Sequence, residues 1–154
     1  MRLVVQRVRR ASVDVGVERI AEIGPGALVL VGIARDDDEP LAARMASKLV
    51  GLRYFRDEEG RTNRSIIEAG GALLVVSQFT LLADVRKGRR PGFTDAAPPE
   101  RAVPILDRFV AALRGEGIGV QAGRFGAEMV VELANDGPFT LVIDSDRDLG
   151  SGPA

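Results

Sequence analysis

The sequence contains no cysteine and no histidine, and these two absences exclude several kinds of chemistry. Without cysteine there is neither a disulfide framework nor a thiol nucleophile. Without histidine there is neither a histidine-dependent catalytic triad nor a zinc site built from His and Cys ligands. Mg²⁺ or Ca²⁺ held by carboxylates stays open, but the acidic residues form no cluster with suitable spacing. We therefore expect no metal ion and no cofactor.

The sequence also lacks an excess of charged residues of one sign, and it lacks long apolar runs. The 21 Lys and Arg residues nearly balance the 22 Asp and Glu residues, which leaves a formal net charge of -1. A nearly neutral protein is not a general cationic binder of nucleic acid, so any RNA contact has to come from a local basic patch. No stretch approaches the roughly 20 apolar residues of a membrane span, and no cationic start precedes a long apolar run. We expect a cytoplasmic protein that does not enter a membrane.

What is present is an ordinary hydrophobic content, 45% of a 154-residue chain, which is typical of one globular domain. Short β-branched runs predict six or more strands, and apolar residues at helical spacing predict two main helices, after Pro40 and after Pro99. We predict an α/β fold with a strongly curved mixed β-sheet or barrel-like domain and both helices packed outside. The domain should cover residues 1–145, and residues 146–154 should be a disordered tail. The predicted strands are 1–8 and 11–15 as a hairpin, then 18–23, 27–34, 73–76, 118–122, 129–133 and 141–143.

The stretch from Asn135 to Thr140 separates the last two apolar runs and contains Gly137 followed by Pro138. Such a pair interrupts a strand, because Gly accepts unusual dihedral angles while Pro fixes φ and lacks an N–H. The bond before a proline is also the one peptide bond whose cis isomer costs only about 0.5–1 kcal/mol. Taken alone, these residues are typical of an ordinary hairpin turn, and the sequence leaves the isomer of the Gly137–Pro138 bond open.

A second stretch changes that interpretation. The residues Ser-Gln-Phe-Thr-Leu at positions 77–81 follow another buried run. Together with the later Asn-x-Gly-Pro-x-Thr, this stretch resembles the paired signature of the D-aminoacyl-tRNA deacylases, also called D-tyrosyl-tRNA deacylases. The resemblance runs from residue 1 to about residue 145, through blocks such as Gly-Arg-Phe-Gly-Ala at 123–127. Two positions depart from the family: Leu82 stands where an aromatic residue is common, and Gly92 stands where Ser is common. These departures put the shape of a side pocket in doubt more than they put the enzymatic activity in doubt.

The resemblance implies a homodimeric enzyme that acts on the aminoacylated 3′ end of tRNA and removes D-amino acids. It further implies that Gly137 and Pro138 of one subunit enter the active site of the partner subunit and reject L-amino acids there. Asn135 and Thr140, which flank this pair, belong to the same predicted site. Because glycine has no side chain to clash with such a device, glycyl-tRNA should also be hydrolysed. We take Arg7 as the group that braces the carbonyls of Gly137 and Pro138; the alternative is an arginine that faces solvent on its strand.

Hydrolysis of an aminoacyl ester needs a positioned carbonyl, an attacking water and stabilisation of the oxyanion. In the absence of His and Cys, we nominate the backbone N–H groups of Gln78 and Phe79 as the oxyanion hole. Ser77 and Thr80 carry the nearby hydroxyls, but neither has a base close in sequence to activate it. Covalent catalysis through Thr80 is therefore the less favoured alternative. The resemblance implies instead that the 2′-hydroxyl of the terminal ribose assists the attacking water.

Two more sets of residues are candidates for contacts with tRNA. Phe125 and Met129 lie at a glycine-rich bend, where they either receive the terminal adenine or simply pack in the core. The loop after the Ser-Gln-Phe-Thr-Leu stretch carries four cations in five positions, which form either a solvated surface or a contact with phosphates. These cations are Arg86, Lys87, Arg89 and Arg90.

Two rival functions are open at this point. One is an RNA-binding module that lacks catalysis, against which the two intact signatures argue. The other is a metal-dependent hydrolase of small esters, which a chelator should inactivate. An assay with D-Tyr-tRNA and L-Tyr-tRNA separates the first rival from the deacylase, because a pure binder leaves both esters intact.

Overall fold

The computed structural model describes residues 1–150, and within them the chain forms eight strands, four helices and one 3₁₀ turn. In chain order the elements are β1 (Arg2–Val15), β2 (Glu18–Ile23), β3 (Gly26–Gly32), α1 (Glu39–Gly51), β4 (Phe55–Arg56), β5 (Thr62–Arg64), α2 (Ile66–Ala69), β6 (Ala72–Ser77), the 3₁₀ turn (Phe79–Leu82), α3 (Pro99–Gly115), β7 (Val120–Ala122), β8 (Val130–Asp144) and α4 (Ser145–Asp148).

Strand β1 pairs with three other strands of the sheet. Its first half pairs antiparallel with β3, its second half pairs antiparallel with β2, and β8 pairs with it along the opposite edge. The predicted hairpin between residues 1–8 and 11–15 is therefore wrong, because both runs belong to one strand. The exposed residues Arg9 and Arg10 between them remain part of the strand, where Arg10 pairs with Ala134 of β8 after the partners on the other edge change from β3 to β2.

The other half of the sheet is parallel. Strand β6 pairs parallel with β3, and β7 pairs parallel with β6, so antiparallel and parallel ladders share one sheet. One face packs against α1 and α3 through buried residues such as Val29, Met45 and Phe109. The sheet curls so that its other face buries a second cluster, which includes Val8, Ala21 and Leu74. The predicted curved mixed sheet with two main helices outside is confirmed.

The helix starts follow the predicted signals. Asp38 caps α1, since its Oδ1 accepts a hydrogen bond of 2.8 Å from the Leu41 amide, and Pro40 lies in the first turn. Met45 and Leu49 of α1 are fully buried, so both belong to the core. Helix α3 begins at Pro99 as expected, and it buries Phe109, Val110 and Leu113, whose spacing is helical.

The last two predicted strands are one element, because both pair with β1 and not with each other. Thr140 lies opposite Gln6, and Asn135 lies opposite Val8. Four residues, 136–139, thus stand against the single residue Arg7, and we call this bulge the elbow. The hairpin-turn interpretation of Asn135–Thr140 is wrong. The elbow interrupts the pairing of β8 with β1, but the ladder is intact on both sides of it, so β8 continues in the same direction after the elbow.

The predicted disordered tail requires a correction for its first residues. Ser145–Asp148 form α4, whose first amides are capped by Asp144, and Leu149 packs against the main core. Residues 151–154 of that predicted tail lie outside the described residues. Among residues 1–150, no helix has the length and apolar character needed to cross a membrane.

Candidate active site

A cavity of about 630 Å³ opens where the parallel strands β3, β6 and β7 end. This is where open parallel sheets generally place their ligands, since the chain leaves the sheet in different directions there. One wall comes from the end of β6 and the 3₁₀ turn, a second from the approach to α3, and a third from the bend before β8. The lining residues are Ile33, Val76, Ser77, Gln78, Phe79, Phe93, Ala96, Ala97, Pro98, Pro99, Ala102, Phe125, Gly126, Ala127, Met129 and Val131.

The described residues that line this cavity include no ionisable side chain. The polar side chains among them are those of Ser77 and Gln78, and the rest of the surface is apolar or main chain. General acid–base catalysis by a lining side chain is therefore excluded, because neither hydroxyl nor amide groups accept a proton at neutral pH. A reaction in this cavity has to rely on main-chain donors, on water and on groups that the substrate brings.

The 3₁₀ turn supplies such main-chain donors. Within residues 1–150, the amides of Phe79 and Thr80 have no hydrogen-bond acceptor, as expected for the first N–H groups of a helical turn. The Gln78 amide, in contrast, donates a bond of 2.8 Å to the Val31 carbonyl. The predicted pair of oxyanion donors, Gln78 and Phe79, is therefore wrong in its first member. The free pair is Phe79 and Thr80.

The Thr80 hydroxyl has no base beside it. Its Oγ1 accepts a hydrogen bond from the side-chain amide of Gln78, and among the described residues this is its one side-chain partner. An amide does not take up a proton, so this contact orients the hydroxyl without activating it. Thr80 thus lacks the partner that a nucleophile of this type requires.

The two residues predicted for the adenine lie in the same cavity as Ser77, Gln78 and Phe79. Met129 packs against Gly123, where an added Cβ would lie 2.8 Å from the Met129 sulfur. The absence of a side chain at Gly123 therefore lets Met129 take this position. Phe125 is half-buried and contacts the main core from the cavity side. The structure brings these two predicted sets together, although they are far apart in sequence.

Arg7 is buried at 3% exposure, so the solvent-facing alternative is wrong. Its Nη1 donates a bond of 2.7 Å to the Tyr54 carbonyl, and its Nε donates one of 3.0 Å to the Asp136 carbonyl. The Asp136 carboxylate is 3.3 Å from Nε, and the guanidinium stacks 4.6 Å from the Phe139 ring centre. The expected contacts with the carbonyls of Gly137 and Pro138 are absent among these bonds. Arg7 instead holds the two ends of the elbow, because those are the parts that reach the sheet.

Asn135 closes the elbow from its other side. Its side-chain amide donates to the carbonyls of Arg7 and Phe139 at 2.9 and 3.0 Å, and its Oδ1 accepts the Phe139 amide at 2.9 Å. Thr140 follows at the resumption of the ladder, where its hydroxyl accepts a bond of 3.3 Å from Gln6. These contacts replace the ladder bonds that the interruption removes.

The tip of the elbow is exposed and lies away from the chain's own cavity. Gly137 and Pro138 are joined by a cis peptide bond, which answers the question that the sequence left open. Neither residue lines the cavity formed by residues 1–150 of the same chain. The structure therefore brings Ser77, Gln78, Phe79, Phe125 and Met129 together in one cavity, with Thr80 next along the 3₁₀ turn, but leaves Gly137, Pro138, Asn135 and Thr140 in a separate group.

The basic loop is closed by a two-residue bridge. Asp84 and Gly92 exchange amide-to-carbonyl bonds of 2.8 Å in both directions. Arg86 forms a paired contact with the Asp84 carboxylate, which holds the pKa of Asp84 well below its ordinary value and so keeps it ionised at neutral pH. The other predicted phosphate ligands, Lys87, Arg89 and Arg90, are exposed and have no carboxylate partner within residues 1–150.

Sequence reasoning missed several residues that shape the site. Phe93 follows the basic loop and meets the ring of Phe79 edge-on, with 5.0 Å between ring centres. Gly32 lets the 3₁₀ turn approach β3, since an added Cβ would lie 3.0 Å from the Leu81 Cβ. Arg2 donates a bond of 2.8 Å to the Leu81 carbonyl. A cation beside an apolar run was a visible signal for Arg2, but its partners are distant in sequence.

These features define a class of protein: a small mixed α/β domain whose cavity, as far as residues 1–150 form it, presents main-chain donors and is lined by no acidic or basic side chain. The chain belongs to the D-Tyr-tRNA(Tyr) deacylase family, whose model matches residues 4–144. The resemblance that the two signatures carried is thereby confirmed.

Similar proteins support the same assignment. The chain is 59% identical to a D-aminoacyl-tRNA deacylase of Symbiobacterium thermophilum, with 96% of this chain and 97% of that protein covered. It is 58% identical to a D-aminoacyl-tRNA deacylase of Chlorobaculum parvum, with 96% and 99% covered. A solved structure of a c-Myc DNA unwinding element binding protein matches with a TM-score of 0.88 at 42% identity, over 94% of this chain and 99% of that one. A probable eukaryotic D-amino acid tRNA deacylase shares the fold, with a TM-score of 0.79 at 21% identity over 92% and 97%.

The contacts of Arg7 predict a large loss of stability when they are removed. Arg7→Leu should lower the free energy of unfolding by about 3 kcal/mol, because it strands two carbonyls and a carboxylate that the guanidinium now satisfies. Arg9→Leu is the matched control, since Arg9 is 78% exposed and approaches the same Asp136 carboxylate at 3.5 Å. It should change stability by less than about 0.5 kcal/mol. Urea unfolding of both variants measures this, and equal losses would contradict the assigned role.

Proposed function

We propose that this protein hydrolyses the ester of D-aminoacyl-tRNA, and also of glycyl-tRNA, to the free amino acid and tRNA. The observation that carries the proposal is the pair of unpaired amides, Phe79 and Thr80, at the edge of a cavity without ionisable side chains. An aminoacyl ester is already activated, so it can be cleaved by positioning and oxyanion stabilisation alone. Membership of the deacylase family supports the same substrate class.

The reaction begins with the ester carbonyl directed at the free amides. As water attacks, negative charge moves onto the carbonyl oxygen, and the Phe79 and Thr80 amides stabilise it. A donor of this kind typically contributes about 2.7–4 kcal/mol to the transition state. With no base among the lining side chains, the neighbouring 2′-hydroxyl of the terminal ribose assists the water, and the ester oxygen leaves with a proton.

The apolar part of the cavity suits the terminal adenosine. Phe125 and Met129 line the same cavity as Ser77, and aromatic and thioether surfaces stack well on a base. Holding the adenine there carries the ribose, and with it the ester, toward the amides. The polar groups of Ser77 and Gln78, which line the same cavity, are then available to the ribose and the ester.

Rejection of L-amino acids requires a second copy of the chain. The elbow tip, Gly137–Pro138, is exposed and outside its own cavity, so it can act only in another cavity. The strand that carries it exposes Val130, Leu133 and Val142, and within residues 1–150 no strand other than β1 pairs with it. An exposed apolar edge strand of this kind is an association surface. In the homodimer, main-chain carbonyls of the elbow hold the α-ammonium and fill the direction of an L side chain.

The first prediction from the proposed function concerns stereochemistry. The protein should hydrolyse D-Tyr-tRNA and Gly-tRNA and leave L-Tyr-tRNA intact, because only the L side chain meets the elbow. Release of radiolabelled amino acid over time, with and without a chelator, measures this. If all three esters persist, the chain is an RNA-binding module. If the chelator abolishes cleavage, a metal-dependent hydrolase replaces the proposal.

A mixture of two variants tests whether the elbow acts on the partner. Gly137→Ala distorts the elbow, since its Cβ would lie 2.1 Å from the Phe139 amide nitrogen, and it should admit L-Tyr-tRNA. Phe79→Pro leaves the elbow intact but disables its own cavity. After subunit exchange, an excess of Phe79→Pro chains should suppress L-Tyr-tRNA hydrolysis by Gly137→Ala chains. Unchanged L-Tyr-tRNA hydrolysis would show that the elbow does not act across a dimer.

The second prediction isolates one oxyanion donor. Phe79→Pro removes the free N–H, and Phe79 is the first residue of the 3₁₀ turn, where proline is tolerated. Its kcat on D-Tyr-tRNA should fall at least about 100-fold. Phe79→Ala is the matched control, because it removes the same ring and keeps the amide, and it should retain most of the activity.

Thr80→Ala distinguishes the covalent alternative in the same assay. This variant keeps both amides and removes the hydroxyl, so it should retain activity within about tenfold of the wild type. A complete loss in Thr80→Ala, together with an active Phe79→Pro, would establish Thr80 as the nucleophile and reject the oxyanion assignment.

The third prediction concerns tRNA phosphates, which we assign to Arg89 and Arg90 with Lys87 beside them. Replacing Arg89 and Arg90 with Ala should weaken binding and flatten the slope of log K against log salt by about 0.7–0.9 per lost contact. Arg86→Ala is the control, since Arg86 is already neutralised by Asp84 and should leave the slope unchanged. Titrations of uncharged tRNA at several salt concentrations measure the slopes. Equal slopes for the double variant and the wild type would remove the assignment of the loop.

A further inference from the structure

Arg2 joins two parts of the protein that are otherwise separate, the 3₁₀ turn and the end of β8. Its Nη1 donates a bond of 2.8 Å to the Leu81 carbonyl inside the turn. Its Nε and Nη2 both reach Oδ2 of Asp144, at 2.8 and 2.7 Å. One planar guanidinium therefore contacts a main-chain carbonyl and a carboxylate at the same time, which suits its fixed array of donors.

The turn depends on contacts of this kind because it has few of its own. A 3₁₀ turn of four residues makes poorly aligned internal bonds, and its last carbonyls lack partners within it. The turn is bounded by the Gln78 amide, bonded to Val31, and by the Ala83 amide, bonded to the Thr80 carbonyl at 3.1 Å. Among residues 1–150, Arg2 is the only side chain outside the stretch 78–82 that forms a hydrogen bond to the turn. Arg2 thus ties the Leu81 carbonyl, in the C-terminal half of the turn, to β1.

Asp144 is itself held in place, so it can hold Arg2. It lies directly opposite Arg2 in the register of β1 and β8. Its Oδ1 accepts the Asp146 amide at 3.1 Å, and its own amide donates to Asp148 at 2.8 Å. Partial burial acts to raise the pKa of Asp144, but the Arg2 guanidinium and the Asp146 amide lower it below its ordinary value. The carboxylate is therefore ionised at neutral pH.

We propose that Arg2 is a positioning residue for the hydrolytic reaction, and that Asp144 orients it. Arg2 holds the Leu81 carbonyl and so sets the direction of the Thr80 and Phe79 amides, which lie one and two residues earlier in the same turn. Arg2 does not line the cavity, and it acts on the substrate only through the turn. The inference rests on the proposed deacylase function and adds to it a requirement on a residue outside the two signature stretches.

A lysine cannot replace Arg2 in this role. It retains the positive charge, but its single nitrogen cannot bond the Leu81 carbonyl and the Asp144 carboxylate with the same in-plane geometry. Loss of the bond to the carbonyl should misalign the amides in the transition state and leave binding of the tRNA end almost unchanged. The expected signature is a fall in kcat with little change in KM.

The test compares Arg2→Lys with Arg19→Lys. Arg19 forms a similar fork with the Asp14 carboxylate, at 2.9 and 3.2 Å, but it makes no contact with the turn. On D-Tyr-tRNA, Arg2→Lys should lower kcat about tenfold or more with KM within about twofold of the wild type, while Arg19→Lys leaves both unchanged. Thermal unfolding of both variants serves as the measure of any general loss of structure.

Chemical rescue separates positioning from a merely structural role. Arg2→Ala should lose activity, and millimolar guanidinium should restore several-fold more of it than the same concentration of sodium chloride does. The inference is overturned if Arg2→Lys has wild-type kcat, if its loss appears in KM alone, or if guanidinium restores nothing. Hydrolysis of D-Tyr-tRNA by the wild type is measured in parallel. If that is absent, the proposed function itself has failed.

Discussion

The backbone ladder along both edges of β1 is the interaction on which the rest of the structure depends. One edge positions β3, which in turn pairs with β6 and so places the 3₁₀ turn. The other edge positions β8 and its elbow. Arg2 and Arg7 extend from the same strand toward these two features. The cavity and the elbow therefore stand in a fixed geometric relation, although they do not touch within one chain.

A cavity without ionisable side chains makes main-chain geometry the source of the chemistry. The free amides of Phe79 and Thr80 cannot be altered by ordinary side-chain substitution, and the same holds for the carbonyls of the elbow. Such groups do not distinguish one amino acid side chain from another. Under the proposed function this arrangement suits an enzyme that accepts many D-amino acids and excludes their mirror images, because main-chain groups would sense chirality at the α-carbon.

Much of the fold could be predicted because its signals are local. Asp38 and Pro40 marked the start of α1, and apolar residues at helical spacing marked its buried face. The failures share one cause. Two pairs of apolar runs resemble hairpins: the runs at residues 1–8 and 11–15, and the two runs that flank Gly137–Pro138. They do so because the sequence shows where an apolar run is interrupted but does not show which strand each run pairs with. Residues distant in sequence keep β1 extended and turn the second break into a bulge.

The sequence by itself determined the family, the absence of histidine and cysteine chemistry, and the residue types that can meet an aminoacylated adenosine. The tertiary structure decided which of those groups are free to act. Gln78 gives its amide to Val31, Arg7 binds Asp136 instead of the Gly137 and Pro138 carbonyls, and Arg86 is paired with Asp84. A sequence shows which groups can donate or accept, but the fold determines which partner takes each one, since most of these partners are distant along the chain.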